Sequence, residues 1–221
     1  MPPILEVVVS SRNTGKLAEF RAILANLPLA IVSAADRGVA DVEESGATLA
    51  ENALLKASAA YNRTGLISIA DDSGLFVEAL DGAPGVYSAR FAGENVTYED
   101  NNRELLRQLE GRPESERGAA FVSVMALLVP TQSAPADDLG VSQGLRPPDG
   151  TRLFLVEGRL EGRITTAAMG DRGFGYDPVF YVPGAGRTLA QMDPQEKNAI
   201  SHRGRALARL HACFQDILLR V

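Results

Sequence analysis

The stretch Asp71-Asp72-Ser73-Gly74 sets two adjacent carboxylates, a hydroxyl and a glycine at the end of a β-rich run that begins at Ile67. Near-alternating β-formers predict a strand, and the four residues that close it carry turn chemistry. In open α/β sheets the carboxyl ends of strands are where ligands bind. Successive side chains on a strand face opposite sides, so one acid can serve a metal ion or a water while its neighbour serves the scaffold. An ordinary solvated Asp-Ser-Gly turn would read the same way in isolation, so the case for chemistry rests on what accompanies it.

Four other stretches carry suitable groups. Ser10-Ser11-Arg12-Asn13-Thr14-Gly15-Lys16 lies between a predicted strand and a predicted helix. A helix N-terminus offers unpaired N–H groups and partial positive charge, Lys16 and Arg12 add full charges, and Ser11 and Asn13 add hydrogen-bond donors, which together make an anion site. The glycines of a Walker A loop are absent. Asn52 and Lys56 are four residues apart and share one helix face, where a merely solvated lysine is the structural alternative. In Gly173-Phe174-Gly175-Tyr176-Asp177-Pro178 the flanking glycines leave the Phe174 ring open to stack on a flat ligand, although a structural aromatic fits as well. His202-Arg203 opens the last helix, where positive charge is unfavourable unless an anion or an acceptor-rich ligand compensates. His211, with no polar cluster around it, is assigned a structural role.

The elements that must hold these groups are legible from periodicity. Ile4 to Ser10 is a valine-rich apolar run that predicts a buried strand, and Leu17, Phe20, Leu24 and Leu27 recur at helical spacing after it. Ala30 to Ser33 predicts a second strand. Thr48-Leu49-Ala50-Glu51 fits a capping box opening a helix that runs towards Gly65. Thr97 begins another, with Leu105, Leu106 and Leu109 as its apolar contacts. Gly118 to Pro130 and Arg152 to Arg163 are the longest strand candidates, and Val179 to Val182 is a short one. The proline- and glycine-rich segment 131–150 between the long strands predicts an exposed hairpin insertion. Ser201 is placed to cap a final helix carrying Leu207, Leu210, Phe214, Ile217 and Val221.

Bulk properties narrow the function. A chain of 221 residues with 45% hydrophobic residues can bury a substantial core without staples. A net charge of −6 gives no general basic footprint for nucleic acid, so a polyanionic substrate must meet local lysines and arginines or a metal ion. The single cysteine, Cys213, leaves neither an intramolecular disulfide nor a cysteine-cluster zinc site and is expected to pack in the core. The longest apolar run, Ala119 to Pro130, is interrupted by Ser123 and too short to span a bilayer. Met1 to Glu6 shows no signal-peptide pattern, so the cytoplasm is the expected compartment.

Six ordered blocks together resemble the inosine triphosphate pyrophosphatase family. They are the stretch Ser11 to Lys16, Glu51-Asn52-Ala53-Leu54-Leu55-Lys56-Ala57, Ala70 to Leu75, Gly82 to Arg90, Gly173 to Pro178, and Glu196-Lys197-Asn198-Ala199-Ile200-Ser201-His202-Arg203-Gly204. The resemblance implies Mg²⁺-dependent cleavage between the α- and β-phosphates of ITP, dITP or XTP, giving the monophosphate and pyrophosphate. It implies that Asp72 is the catalytic carboxylate and a magnesium ligand and that Glu43 also serves the metal, with adjacent Glu44 leaving open which of the two faces it. It places Ser11, Arg12, Asn13, Thr14, Gly15, Lys16, Lys56 and Ser73 on the phosphates, and Phe174, Gly175, Tyr176, Asp177, Lys197, His202 and Arg203 on the base. It further implies one domain over residues 1–221, an elongated two-lobed α/β fold with a central mixed sheet flanked by helices and a cleft between the lobes, and a homodimer.

The residue types suit that chemistry. Mg²⁺ takes one or two carboxylates together with phosphate oxygens and waters. Hypoxanthine and xanthine carry a carbonyl at position 6, which donors such as Lys197, His202 and Arg203 can bind, while the amino group of adenine meets another donor there. The rivals are a pyrophosphatase for other modified nucleotides and a non-catalytic nucleotide- or RNA-binding module. The acids and the overall negative charge weigh against the second.

Overall fold

The computed structural model describes residues 4–133 and 144–219. The chain folds as mixed α/β, with helices flanking a sheet. The strands are β1 (Leu5–Val9), β2 (Leu29–Ser33), β3 (Ile67–Val77), β4 (Pro84–Gly85), β5 (Gly118–Pro130), β6 (Thr151–Ile164), β7 (Phe180–Val182) and β8 (Arg187–Thr188). The helices are α1 (Thr14–Ile23), α2 (Leu49–Thr64), α3 (Tyr98–Gln108), α4 (Pro194–Ile200) and α5 (His202–Leu218). The hydrogen-bonded order is β2-β1-β3-β5-β6-β7-β8, with β4 on β3. The sheet is mixed: β1 runs parallel to β2 and β3, whereas β3 with β4 and β6 with β7 are antiparallel.

The chain divides into two compact units. One comprises Met1–Asp72, Ser123–Gly158 and Gly204–Val221, and the other Ser73–Val122 and Arg159–Arg203. In the first, strand alternation sorts the core into two layers. Val7, Val9, Ile67, Ile69, Met125, Leu127 and Val129 pack with Leu17 and Phe20 of α1 and with Leu207, Leu210, Cys213 and Phe214 of α5. Ala70, Ala126 and Leu128, one residue out of phase, pack with Ala53, Leu54 and Ala57 of α2. The small residues on α2 let it lie close to the strands. In the second unit Leu75, Val77, Phe121, Leu160, Ile164, Val179 and Phe180 make a separate core with Leu105 of α3 and Leu109, which caps that helix.

Local chemistry explains most boundaries. Thr48 Oγ1 accepts the Glu51 N–H at 3.2 Å and Glu51 Oε2 accepts the Thr48 N–H at 3.1 Å, the reciprocal box that starts α2, which Gly65 ends in the left-handed region. Thr97 and Asp100 do the same for α3. Asp193 and Glu196, with Pro194 at the first helical position, open α4, a helix not predicted above although its capping box stands in the sequence. The base of the 131–150 segment is closed by the Thr131 N–H donating to Gly150 O at 2.9 Å, and residues 134–143 of that expected hairpin lie outside the described residues.

The predicted turn at Asp71–Gly74 is corrected: β3 passes through it unbroken. Parallel pairing with β1 holds its start, at Val7↔Ile67 and Val9↔Ile69, and antiparallel pairing with β4 holds its end, at Leu75↔Gly85. Ladder hydrogen bonds therefore outweigh the turn preference of two aspartates and a glycine. Gly74 serves close approach instead, since a Cβ there would lie 2.4 Å from Gly85 O. Gly74→Ala should cost on the order of 1–3 kcal/mol, because the obstacle is backbone. Melting should fall by roughly 2–4 °C for each kcal/mol lost. Gly184→Ala, with nothing within 4 Å of its added Cβ, serves as the control and should shift stability by less than about 0.5 kcal/mol. Equal melting temperatures for the two variants would refute the close-approach explanation.

Candidate active site

In the first unit, the alternation of β3 separates the two acids. Asp71 shares the face of Ile67 and Ile69 and meets α1. Asp72 shares the face of Ala70 and meets α2. Both are nearly buried, at 1% and 6% exposure. Lys56 Nζ, from α2, donates to Asp72 Oδ1 at 2.7 Å, to Glu44 Oε1 at 2.8 Å and to Asp71 O at 3.0 Å, so the three protons of the ammonium meet three acceptors. One turn earlier on the same helix face, Asn52 Nδ2 donates to Asp72 Oδ2 at 3.3 Å while its Oδ1 accepts the Gly46 N–H at 2.8 Å. Asn52 thereby ties the loop carrying Glu44 to the aspartate.

The electrostatics follow from that packing. Burial pushes the Asp72 carboxyl above its ordinary range and Glu44 adds to the push, against the pull of Lys56 and Lys16. For Lys56 burial acts to lower the pKa, but Asp72 and Glu44 outweigh it and hold the ammonium above its usual value.

On the other face, Lys16 Nζ lies 2.7 Å from Asp71 Oδ2 and donates to Asp71 O at 3.5 Å. Ser123 Oγ of β5 donates to Asp71 Oδ1 at 2.5 Å. Helix α1 starts at Thr14, so Thr14, Gly15 and Lys16 form its first turn rather than a preceding loop. Asn13 is its cap, with Oδ1 accepting the Lys16 N–H at 3.1 Å, and Ser11 Oγ accepts the Asn13 N–H at 3.2 Å. Arg12 reaches the exposed Asp41 at 3.4 Å.

The second unit gathers the aromatic group. Asp177 Oδ2 accepts both the Phe174 N–H, at 2.9 Å, and Lys197 Nζ, at 2.6 Å. A Cβ on Gly173, whose φ is +77°, would lie 2.1 Å from that same oxygen, so the tight turn needs glycine. Lys197 Nζ lies 4.4 Å and Arg203 Cζ 5.6 Å from the centre of the half-buried Phe174 ring, with Tyr98 tilted at 6.4 Å. Two cations at an aromatic ring are held by its quadrupole. His202 stacks on Phe121 at 4.6 Å and 11°, and Arg203 Nη2 donates to Ser73 Oγ at 3.2 Å. Tyr176 is buried with its hydroxyl donating to Ser88 O at 2.9 Å, and burial raises its pKa. Asn102 Nδ2 donates to Gly175 O at 3.0 Å.

The structure thus brings Asp72 together with Lys56, Asp71 with Lys16, and Phe174 with Asp177, Lys197 and Arg203. Of the two adjacent glutamates, the structure joins Glu44 to Lys56, while Glu43 is exposed and the Ser45 N–H turns back to Glu43 O at 3.0 Å. Sequence reasoning passed over Ser123, Phe121 and Asn102. Only Ser123 carried a signal, as the one polar residue in the run from Ala119 to Pro130.

Comparison with known proteins shows the family. The model of the Ham1 family matches residues 7–213. A curated dITP/XTP pyrophosphatase of Geobacter sulfurreducens is 48% identical over 214 residues, covering 96% of this chain and 98% of that protein. One from Coxiella burnetii is 42% identical over 216 residues, covering 98% and 100%. Among solved structures, a HAM1 protein from Coxiella burnetii superposes with a TM-score of 0.81 at 41% identity, covering 96% of this chain and 99% of that one. The Ham1 protein of Staphylococcus aureus gives 0.77 at 37%, covering 95% and 98%.

The Asp177–Lys197 contact is a buried ion pair of the second unit, at 2% and 6% exposure. Asp177→Ala should therefore destabilise by about 3–5 kcal/mol, since it strands a buried ammonium. Asp41→Ala, which breaks the exposed pair with Arg12, should change stability by less than about 1 kcal/mol. Denaturant melts of the two variants check the contrast, and a near-neutral Asp177→Ala would refute it.

Proposed function

The chain belongs to the Ham1 family, and we propose on that footing that it hydrolyses ITP, dITP and XTP to the monophosphate and pyrophosphate. The observation that carries the reading is the cluster in which one ammonium, Lys56, is shared by Asp72 and Glu44. The dITP/XTP pyrophosphatase names of the relatives give the substrate class.

The donor set fits Mg²⁺. Among the described residues no three His, Cys, Asp or Glu side chains cluster as a protein-only metal cage. Two hard carboxylates that already converge on one cation are what an ion completed by phosphate oxygens and waters requires. We assign Asp72 and Glu44, in place of Glu43, to hold it. Bound there, the ion would polarise phosphoryl oxygens and offset their charge. Asp72 orients the attacking water and takes its proton as the anhydride between the α- and β-phosphates opens. Lys16 and Lys56 stabilise the charge that develops on the phosphates. Phe174 stacks on the base, while Lys197 and Arg203 donate to its position-6 carbonyl. Ser11, Arg12, Asn13, Ser73 and His202 keep the phosphate and base roles that the family resemblance implies. A homodimer and a cytoplasmic location belong to the same proposal, and they rest on family analogy.

Pyrophosphate release measured with ITP, dITP, XTP, GTP and ATP, with and without Mg²⁺, tests the reading. Turnover should favour the first three and require the metal, and a protein equally active on ATP would refute the substrate assignment. Asp72→Asn should lower kcat by about 10³-fold or more while leaving the fold intact. Glu44→Gln should raise the Mg²⁺ needed for half-maximal rate, and Glu43→Gln should not. Because the folded-state pKa of Asp72 is raised, its ionised form is lost sooner on acidification than that of an ordinary aspartate. The acid limb of the rate profile should accordingly lie above the usual carboxylate range and move to lower pH as Mg²⁺ is increased.

A further inference from the structure

Ser123 is the only polar side chain between Ala119 and Pro130 and is fully buried. A hydroxyl in such a place is unfavourable unless it is hydrogen-bonded. Its parity along β5 matches Met125, Leu127 and Val129, so it stands on the α1 face of the first unit together with Asp71. The chain of contacts is short. Ser123 Oγ donates to Asp71 Oδ1 at 2.5 Å, and Asp71 Oδ2 lies 2.7 Å from Lys16 Nζ. Asp71 O accepts from Lys56 Nζ at 3.0 Å and from Lys16 Nζ at 3.5 Å.

We propose that Ser123 is a positioning residue for the hydrolysis: its hydroxyl seats the Asp71 carboxylate, which in turn aims the Lys16 ammonium at the phosphates and fixes its spacing from Lys56. This rests on the function proposed above. The torsion that turns an aspartate carboxylate is broad, so the backbone of β3 alone does not orient it. A donor fixed on a neighbouring strand does, by holding Oδ1 and leaving Oδ2 towards α1. Lys16 needs such a guide. Its side chain has four rotatable bonds, it stands in the first turn of a helix with no acidic residue there, and the helix dipole repels its charge. Asp71 supplies the compensating charge from the adjacent strand. Asp71 also marks where both ammoniums belong, because its carbonyl oxygen lies within reach of each.

The test is kinetic. Ser123→Ala should lower kcat/KM for ITP with Mg²⁺ by about 10- to 100-fold, the range that follows from displacing a charged group by about 1 Å. Ser123→Thr, which keeps the hydroxyl, should recover most of that loss. The deciding measurement is a double-mutant cycle with Lys16→Met, in which Ser123→Ala should add less than about 2-fold. A serine with a purely structural role would slow both backgrounds by the same factor, and that result overturns the proposal. Should Ser123→Ala fail to fold, Ser123→Cys keeps the volume with a weaker donor and should show an intermediate loss with the same non-additivity. Affinity for inorganic tripolyphosphate, measured by calorimetry across the same cycle, separates this proposal from the function beneath it. A wild-type protein that releases no pyrophosphate from ITP refutes the function. Equal losses of tripolyphosphate affinity in both backgrounds refute the positioning.

Discussion

The two-residue repeat of one strand is the constraint on which the rest of the candidate site depends. Along β3, Ile67, Ile69 and Asp71 fall on one side and Ser68, Ala70 and Asp72 on the other. The hydrophobic members settle which side faces which helix, since a slip of one residue would turn the isoleucines towards α2 and the alanine towards α1 and α5. The acids inherit that choice. Asp71 is delivered to Lys16 and Asp72 to Lys56, so two neighbouring residues of one type have different partners and different tasks. No special backbone device is required beyond the pleat.

Charge burial has a different meaning in each unit. Taking an ion pair out of water gains little stability over an apolar pair of the same shape, so retention of such pairs points to geometry. Around Lys56 the balance is deliberately incomplete: two carboxylates share one ammonium, which leaves net negative charge where hard oxygen donors converge. Around Lys197 the ammonium meets the Asp177 carboxylate, and the aspartate also anchors the backbone of the Phe174 turn. The first arrangement suits a site that takes up a further cation. The second suits a rigid platform whose aromatic ring and cations are already placed.

What the sequence made legible was whatever is encoded locally. Capping at Thr48 and Glu51 and the apolar run from Gly118 to Pro130, broken by Ser123, specify α2 and β5 without help from distant residues, whereas the helical spacing of Leu17, Phe20, Leu24 and Leu27 locates α1 but overruns its end at Ile23. The turn at Asp71–Gly74 was misread for the complementary reason. Its residues favour a turn locally, and only pairing with β1 and β4, far away in the chain, overrides them. The contact of Glu44 with Lys56 likewise joins a loop to a helix, and Asn52 gripping that loop at Gly46 is something no local pattern reports. Ser123 lay in plain view as a polar interruption, yet nothing about a hydroxyl in a strand says which carboxylate it meets.

The overall negative charge of the chain is no obstacle to a polyphosphate ligand. Exposed charges are screened over about 8 Å at physiological salt, so the distant acids that make up the net charge of −6 contribute little at the site. The half-buried ammoniums of Lys16 and Lys56 act where screening is weaker and each charge counts for more. Asp71 offsets Lys16 in the folded protein, and Asp72 with Glu44 holds the Lys56 ammonium above its usual pKa against the pull of burial. In the proposed function a polyphosphate accompanied by a divalent ion would meet both signs at once, its oxygens drawn to the lysines and its metal to the acids. At rest Lys56 is shared by Asp72 and Glu44 while Lys16 meets Asp71, and in the proposed function the two lysines and the metal-binding acids would each gain a further partner on the ligand.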